Sequence, residues 1–218
     1  MTFSASQSRV RRCRKRAVLL TLLGAGVAGS IRADRWQRSW GTTPAERERQ
    51  LPGDEIVPVP GIETTRAIGI KAPPVKVWPW LVQIGLGKAG FYSIDRLERM
   101  IGLDVTSADA IHPEWQDLEV GGEVQLGPGI SLRAAVVDKD SALVLEPGDS
   151  AEQWGLPDEF SWAFVLEPEG PAGTRLLIRE RYGWSKRWMG AWFRLITWAS
   201  WVMTRAMLKG IRERAERE

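Results

Sequence analysis

Ser185 to Glu218, SKRWMGAWFRLITWASWVMTRAMLKGIRERAERE, is the stretch whose reading decides the fold. Apolar residues recur at Trp188, Trp192, Leu195, Ile196, Ala199, Val202, Met203, Ala206 and Met207, the three- and four-residue spacing of one helix face. With no interior proline and a charged end from Lys209 to Glu218, the segment predicts one helix of roughly 30 residues, about 45 Å long. Arg194, Ser200, Thr204, Arg205 and Lys209 interrupt it, so it is expected to lie along a sheet rather than to cross a bilayer.

The chain upstream supplies that sheet. Val120–Leu126, Ile130–Val137, Ala142–Glu146, Phe160–Glu167 and Thr174–Tyr182 alternate with period two, and Gly, Pro and Asp turns separate them. Consecutive strands joined by such short turns are antiparallel. Ahead of them, Ile62–Ile70 alternates with Ile62, Thr64, Ile68 and Ile70 on one side. A short helix follows from Val75 to Gly85 and a second helical stretch from Tyr92 to Gly102. The order is strand, two helices, a run of antiparallel strands and a long helix, an α+β chain with no internal repeat. A curved sheet with one helix laid across its concave face leaves an apolar cavity between them. Alternation nominates Phe160, Trp162 and Phe164 on one strand, Leu176 and Ile178 on the next, and Trp192, Ile196 and Met203 on the helix as its lining.

Composition narrows the function classes. The 218 residues are 44% hydrophobic and include 12 Trp, enough for one sizeable core and more tryptophan than such a core commonly needs. The net charge of +3 hides an asymmetry: residues 1–49 hold 11 Lys/Arg against 3 acids, the remainder 19 against 24. A folded part that is acidic argues against nucleic acid as a partner. One cysteine, Cys13, excludes an internal disulfide, and one histidine with no clustered thiols offers no metal site.

Arg9, Arg11, Arg12, Arg14, Lys15 and Arg16 precede the apolar run Ala17–Ile31, the arrangement of an export or anchor signal. Residues 1–33 read as that segment, with 17–31 in the membrane, either cleaved or retained. Trp36 and Trp40 with Arg32 and Arg35 fit the interfacial end of an uncleaved anchor. An ordinary packed helix is the competing reading. The charge balance leans toward the domain lying outside the cytoplasm. Residues 34–60 read as a polar linker and 61–218 as the domain.

The element order, together with GFYSIDRLERMIGLD (Gly90–Asp104), SADAIHPEWQDLEVGGEV (Ser107–Val124) and SWAFVLEP (Ser161–Pro168), resembles the START-like, or SRPBCC, superfamily in its bacterial polyketide-cyclase-like branch. The resemblance spans roughly Gly61 to Glu216. It implies the helix-grip fold, a curved antiparallel sheet wrapped around a long C-terminal helix, and a pocket for a hydrophobic or amphipathic molecule, lipid-like or polyketide-like. It implies no particular reaction and no cofactor.

Three constellations carry possible chemistry. Gly85-Leu-Gly-Lys-Ala-Gly90 matches a dinucleotide-binding pattern, but Pro79 interrupts the strand that pattern requires and no strand–helix alternation follows. A turn between two helices is the better reading. His112 with Asp95, Asp109 or Tyr92 would supply the acid and base of a cyclase or dehydratase, if those groups met at the pocket mouth. Gln83 and Arg179 are further polar candidates for the ligand. A third reading makes the chain a non-catalytic module whose exposed tryptophans meet a partner or bilayer, decided by where Trp188, Trp198 and Trp201 point.

Overall fold

The computed structural model describes residues 28–94, 106–149, 159–184 and 189–217. The chain falls into two units, Met1–Gln37 and Arg38–Glu218. In the first, residues 28–37 are helical and the Gln37 amide donates to Asp34 at 3.3 Å. Most of the expected anchor, residues 17–27, lies outside the described residues. No helix among the described residues is long and apolar enough to cross a membrane.

The second unit holds α1 (Pro44–Glu48), β1 (Ile62–Ile70), α2 (Pro74–Val82), a single 3₁₀ turn (Pro113–Trp115), β2 (Glu123–Gly127), β3 (Ile130–Asp138), β4 (Ala142–Pro147), β5 (Glu159–Glu169), β6 (Gly173–Gly183) and α3 (Met189–Ala215). The six strands form one antiparallel sheet in the order β1-β6-β5-β4-β3-β2, so the first and last strands pair. Register shifts at Gln125/Gly127 and Ala134/Val136 add local twist and bend. With α2 between β1 and β2 and α3 over the sheet, this is the helix-grip arrangement. The strand limits match the alternation to within a few residues. Tyr92–Ile94 is not helical, and the rest of the expected second helix lies outside the described residues.

Alternation sorts each strand between two faces. Ile62, Ile68 and Ile70 of β1, Phe160, Trp162, Phe164 and Leu166 of β5, and Leu176 and Ile178 of β6 join one core with Trp78, Trp80, Leu81 and α3. The opposite face carries a small second core of Leu51, Ala67, Val165 and Leu177. Residues 38–60 are not a free linker but a strap belonging to the same unit as the sheet.

Local chemistry explains why the strap is ordered. Thr43 and Glu46 make a reciprocal capping box at the start of α1, each side chain accepting from the other's backbone N–H. Arg175 donates to Glu46 at 2.7 Å; that hydrogen bond, more than any other influence, brings the Glu46 carboxyl down to about 2. Arg179 donates to Glu46 O, Arg47 O and Arg49 O at 3.0–3.1 Å and to Asp54 at 2.6 Å. Gly41 has φ +78° and runs so close to β1 that a Cβ would sit 2.1 Å from Ala67 O.

The phase of α3 differs from the sequence expectation. Its buried residues are Phe193, Thr197, Thr204, Met207, Leu208, Gly210, Ile211 and Ala215. The stripe nominated from spacing is rotated away in the first half of the helix, where Trp192, Leu195, Trp198 and Val202 are exposed. Beside Phe193, the inward positions there are the hydroxyl residues Thr197 and Ser200, and the cause lies on the sheet.

Candidate functional site

Two charged residues occupy inward positions in otherwise apolar strands. Arg66 of β1 and Glu180 of β6 are both buried, and their side chains meet at 3.2 Å under α3. Thr64 stands opposite Glu180 in the β1–β6 register and donates to it at 3.1 Å. Tyr182 donates from two residues further along β6 at 3.0 Å. From the helix, Ser200 Oγ lies 2.5 and 2.7 Å from the two carboxylate oxygens, and Thr204 Oγ1 lies 3.1 Å from Oε1. Arg66 also donates to Ser200 Oγ at 3.0 Å, to Thr204 Oγ1 at 3.3 Å and to the Thr197 carbonyl at 3.2 Å.

This network sets the rotation of α3. A buried carboxylate and guanidinium are tolerated only when paired and hydrogen-bonded. The helix therefore presents Thr197, Ser200 and Thr204 inward. Burial by itself raises the Glu180 carboxyl, but the Arg66 charge and the Ser200, Tyr182 and Thr64 hydroxyls outweigh it and hold the group below its ordinary 4.5. Burial, then the Glu180 charge, push the Tyr182 phenol well above 10.

Against this cluster lies a cavity of about 200 Å³ between sheet and helix. Phe91, Leu126, Phe160, Trp162, Met203 and Met207 form its apolar walls, and Glu180, Tyr182, Ser200 and Thr204 its polar side. Trp162 packs on Phe164 with ring centroids 4.7 Å apart, and its indole N–H has no hydrogen-bond acceptor among the described residues. A larger hollow of about 680 Å³ at the end of α3 is lined by the charged side chains of Lys71, Glu169, Arg212, Glu213 and Glu216.

The nominated residues separate on this map. Phe160, Trp162 and Met203 line the cavity. Phe164 and Ile178 are buried in the core beneath it, and Ile196 packs against that core. Trp192 faces solvent near the helix start, because the Arg66 network turns the opposite side of the helix inward. Gln83 is buried away from the cavity: its amide donates to Tyr92 Oη at 2.8 Å and to Ala110 O, while it accepts from His112 N and from Gln116. Arg179 lies on the strap face of the sheet, since its neighbour Ile178 takes the inward position.

Of the acid–base set, His112, Asp109 and Tyr92 are not among the residues that line the cavity. His112 stacks on Trp115 at 4.1 Å and pairs with Glu114 at 3.3 Å, half-exposed. Asp109 pairs with Arg214 at 2.9 Å, with its own side chain largely in solvent. Tyr92 is enclosed by Trp80 and Arg214, and burial raises its phenol above 10. Asp95 lies outside the described residues. Gly85 and Gly90 bridge each other in a loop after α2, so no strand leads into the glycine pattern. Among the described residues, no group of three or more His, Cys, Asp or Glu side chains is placed to hold a metal. Trp40, expected at the membrane interface, is half-buried with the Arg205 guanidinium 5.4 Å from its ring centre.

No protein-family model matches the chain, and no curated protein matches it. Among solved structures, a protein from Thermobifida fusca is similar at 15% identity and TM-score 0.46, covering 71% of this chain and 93% of its own. The Aha1 dimer from Colwellia psychrerythraea is similar at 17% and 0.39, covering 69% and 96%. A polyketide-cyclase-like protein from Corynebacterium glutamicum is similar at 15% and 0.38, covering 69% and 88%.

Proposed function

We propose that this is a membrane-tethered helix-grip domain that holds one small, mostly apolar molecule between sheet and C-terminal helix. The observation that carries the reading is the cavity: aromatic and methionine walls facing a hydroxyl-flanked carboxylate, Glu180. Its size selects among ligands. At about 200 Å³ it exceeds the ~150 Å³ cavity that accommodates benzene and falls below the ~300 Å³ at which drug-sized pockets begin. A one- or two-ring compound or a short acyl chain matches that volume. Arg66, Ser200 and the other donors already bond to one another, so a ligand hydroxyl would add to the lone pairs of Tyr182 and Ser200 rather than replace a charge partner.

The cavity is tested with naphthalene and 1-naphthol on the full chain. Both should bind, the naphthol more tightly, and native mass spectrometry of the freshly purified protein should show a retained apolar adduct. Met203→Trp, which fills the cavity from the helix, should weaken 1-naphthol at least tenfold, about 1.4 kcal/mol, with little change in Tm. Undiminished binding in that variant removes the cavity from the proposal.

The tether rests on the basic residues 9–16 and the apolar run 17–31. Expressed in a bacterium, the chain should sediment with membranes, resist extraction by high salt and expose its domain to protease outside the cytoplasm. Recovery in the soluble fraction at full length would refute the tether while leaving the cavity reading intact.

A further inference from the structure

The Arg66–Glu180 network has a second product, on the far side of α3. By turning Thr197, Ser200 and Thr204 inward, it turns a row of large apolar side chains outward. Trp192 is 53% exposed, Leu195 63%, Trp198 36% and Val202 37%, spaced three to four residues apart on one side of the helix. Isolated exposed hydrophobes are ordinary, but a contiguous helical row containing two tryptophans marks an interaction surface. Charge selects the occupant. The helix carries Arg194, Arg205, Lys209, Arg212 and Arg214 against a single acid, Glu213, near its C-terminal end, although the chain beyond residue 49 is acidic overall. Tryptophan favours the headgroup level of a bilayer, and a helix with an apolar face and a basic excess suits an anionic one.

We propose that the outward face of α3, centred on Trp192, Leu195, Trp198 and Val202, lies in the interface of an anionic lipid bilayer. The helix would rest in the headgroup region, its apolar side toward the acyl chains. Its cavity side would remain against the sheet, so one helix would form a ligand wall and a membrane contact at once. The contact stands whether or not the cavity is filled, and it differs from the N-terminal tether in being local to this helix.

The test uses the full chain with Cys13→Ser and a nitroxide placed by Leu195→Cys, beside a second chain labelled through Val120→Cys, a site 66% exposed in the turn before β2. Vesicles of phosphatidylcholine with a third phosphatidylglycerol are added, and oxygen and nickel-complex collision rates are read. The label at 195 should gain oxygen contact and lose nickel contact, and the label at 120 should do neither. Omitting phosphatidylglycerol should raise the lipid concentration needed at least tenfold. Trp198→Glu should abolish the change at 195 while the protein still floats with vesicles through its N-terminal segment and keeps its Tm. A label at 195 that stays aqueous on floated protein overturns the proposal. So does protection that needs no vesicles and grows with protein concentration, which would make the occupant a second copy of the chain.

Discussion

Replacing Arg66 by methionine lowers the free energy of unfolding by about 3–5 kcal/mol, the range for removing one partner of a buried ion pair. The loss exceeds that of any single hydrogen bond, because Glu180 remains in the core with hydroxyl donors alone, and the Thr197 carbonyl loses the Arg66 donor. Glu180→Gln should cost less than Arg66→Met, since it leaves a dipole where the other leaves a charge. The double replacement Arg66→Met with Glu180→Leu should recover most of the loss, since apolar residues of similar volume can substitute for the pair. Urea unfolding of the four proteins at equal m-value measures this; a double variant no more stable than Arg66→Met would contradict it.

The same pair contributes to acid sensitivity. The Glu180 carboxyl is held below 4.5 in the folded chain, so it contributes stability above that value and the contribution is lost as pH falls below it. The Tyr182 phenol is raised above 10, so its contribution is present below pH 10 and is lost as pH climbs past that. Stability should therefore decline at both ends. In the double variant the acid decline should shrink, which denaturant midpoints across pH would show.

Arg179→Met should release the strap while sparing the sheet. It removes the partner of Asp54 and the donor to three carbonyls at the end of α1. Arg181 still faces Asp54 at 3.3 Å, so the carboxylate keeps one cation and the expected cost is about 3 kcal/mol. Tryptic cleavage after Arg47 and Arg49 would report it directly. Opening the strap more easily by that amount accelerates cutting on the order of a hundredfold. An unchanged rate would mean that the apolar contacts of Leu51 with Ala67, Val165 and Leu177 hold the strap without Arg179.

The strands and the long helix were legible in the sequence because period-two and 3.6-residue patterns report burial directly. The strap was not, because α1 is short and its order comes from Arg175 and Arg179, more than a hundred residues away. The polar side of the cavity was overlooked although it leaves a trace. Arg66 falls in phase with Ile62, Ile68 and Ile70, and Glu180 in phase with Leu176 and Ile178, so alternation alone puts opposite charges on the inward face of two strands. Thr197, Ser200 and Thr204 keep helical spacing as a polar row. Counting only apolar residues selected the wrong side of α3 in its first half. His112 was nominated for being the sole histidine, a fact of composition that says nothing of location.

The pairing of β1 with β6 also orders events in time. The partners, from Ile62 opposite Tyr182 to Ile70 opposite Thr174, stand on the order of a hundred residues apart in the chain, whereas every other strand pair closes a short turn or loop. During synthesis β1 leaves the ribosome with no partner, and β2 to β5 can zip together before β6 exists. Arg66 can be enclosed only after β6 has supplied Glu180 and α3, which follows it in the chain, has covered the pair. The chain order thus keeps this guanidinium from being buried ahead of its carboxylate.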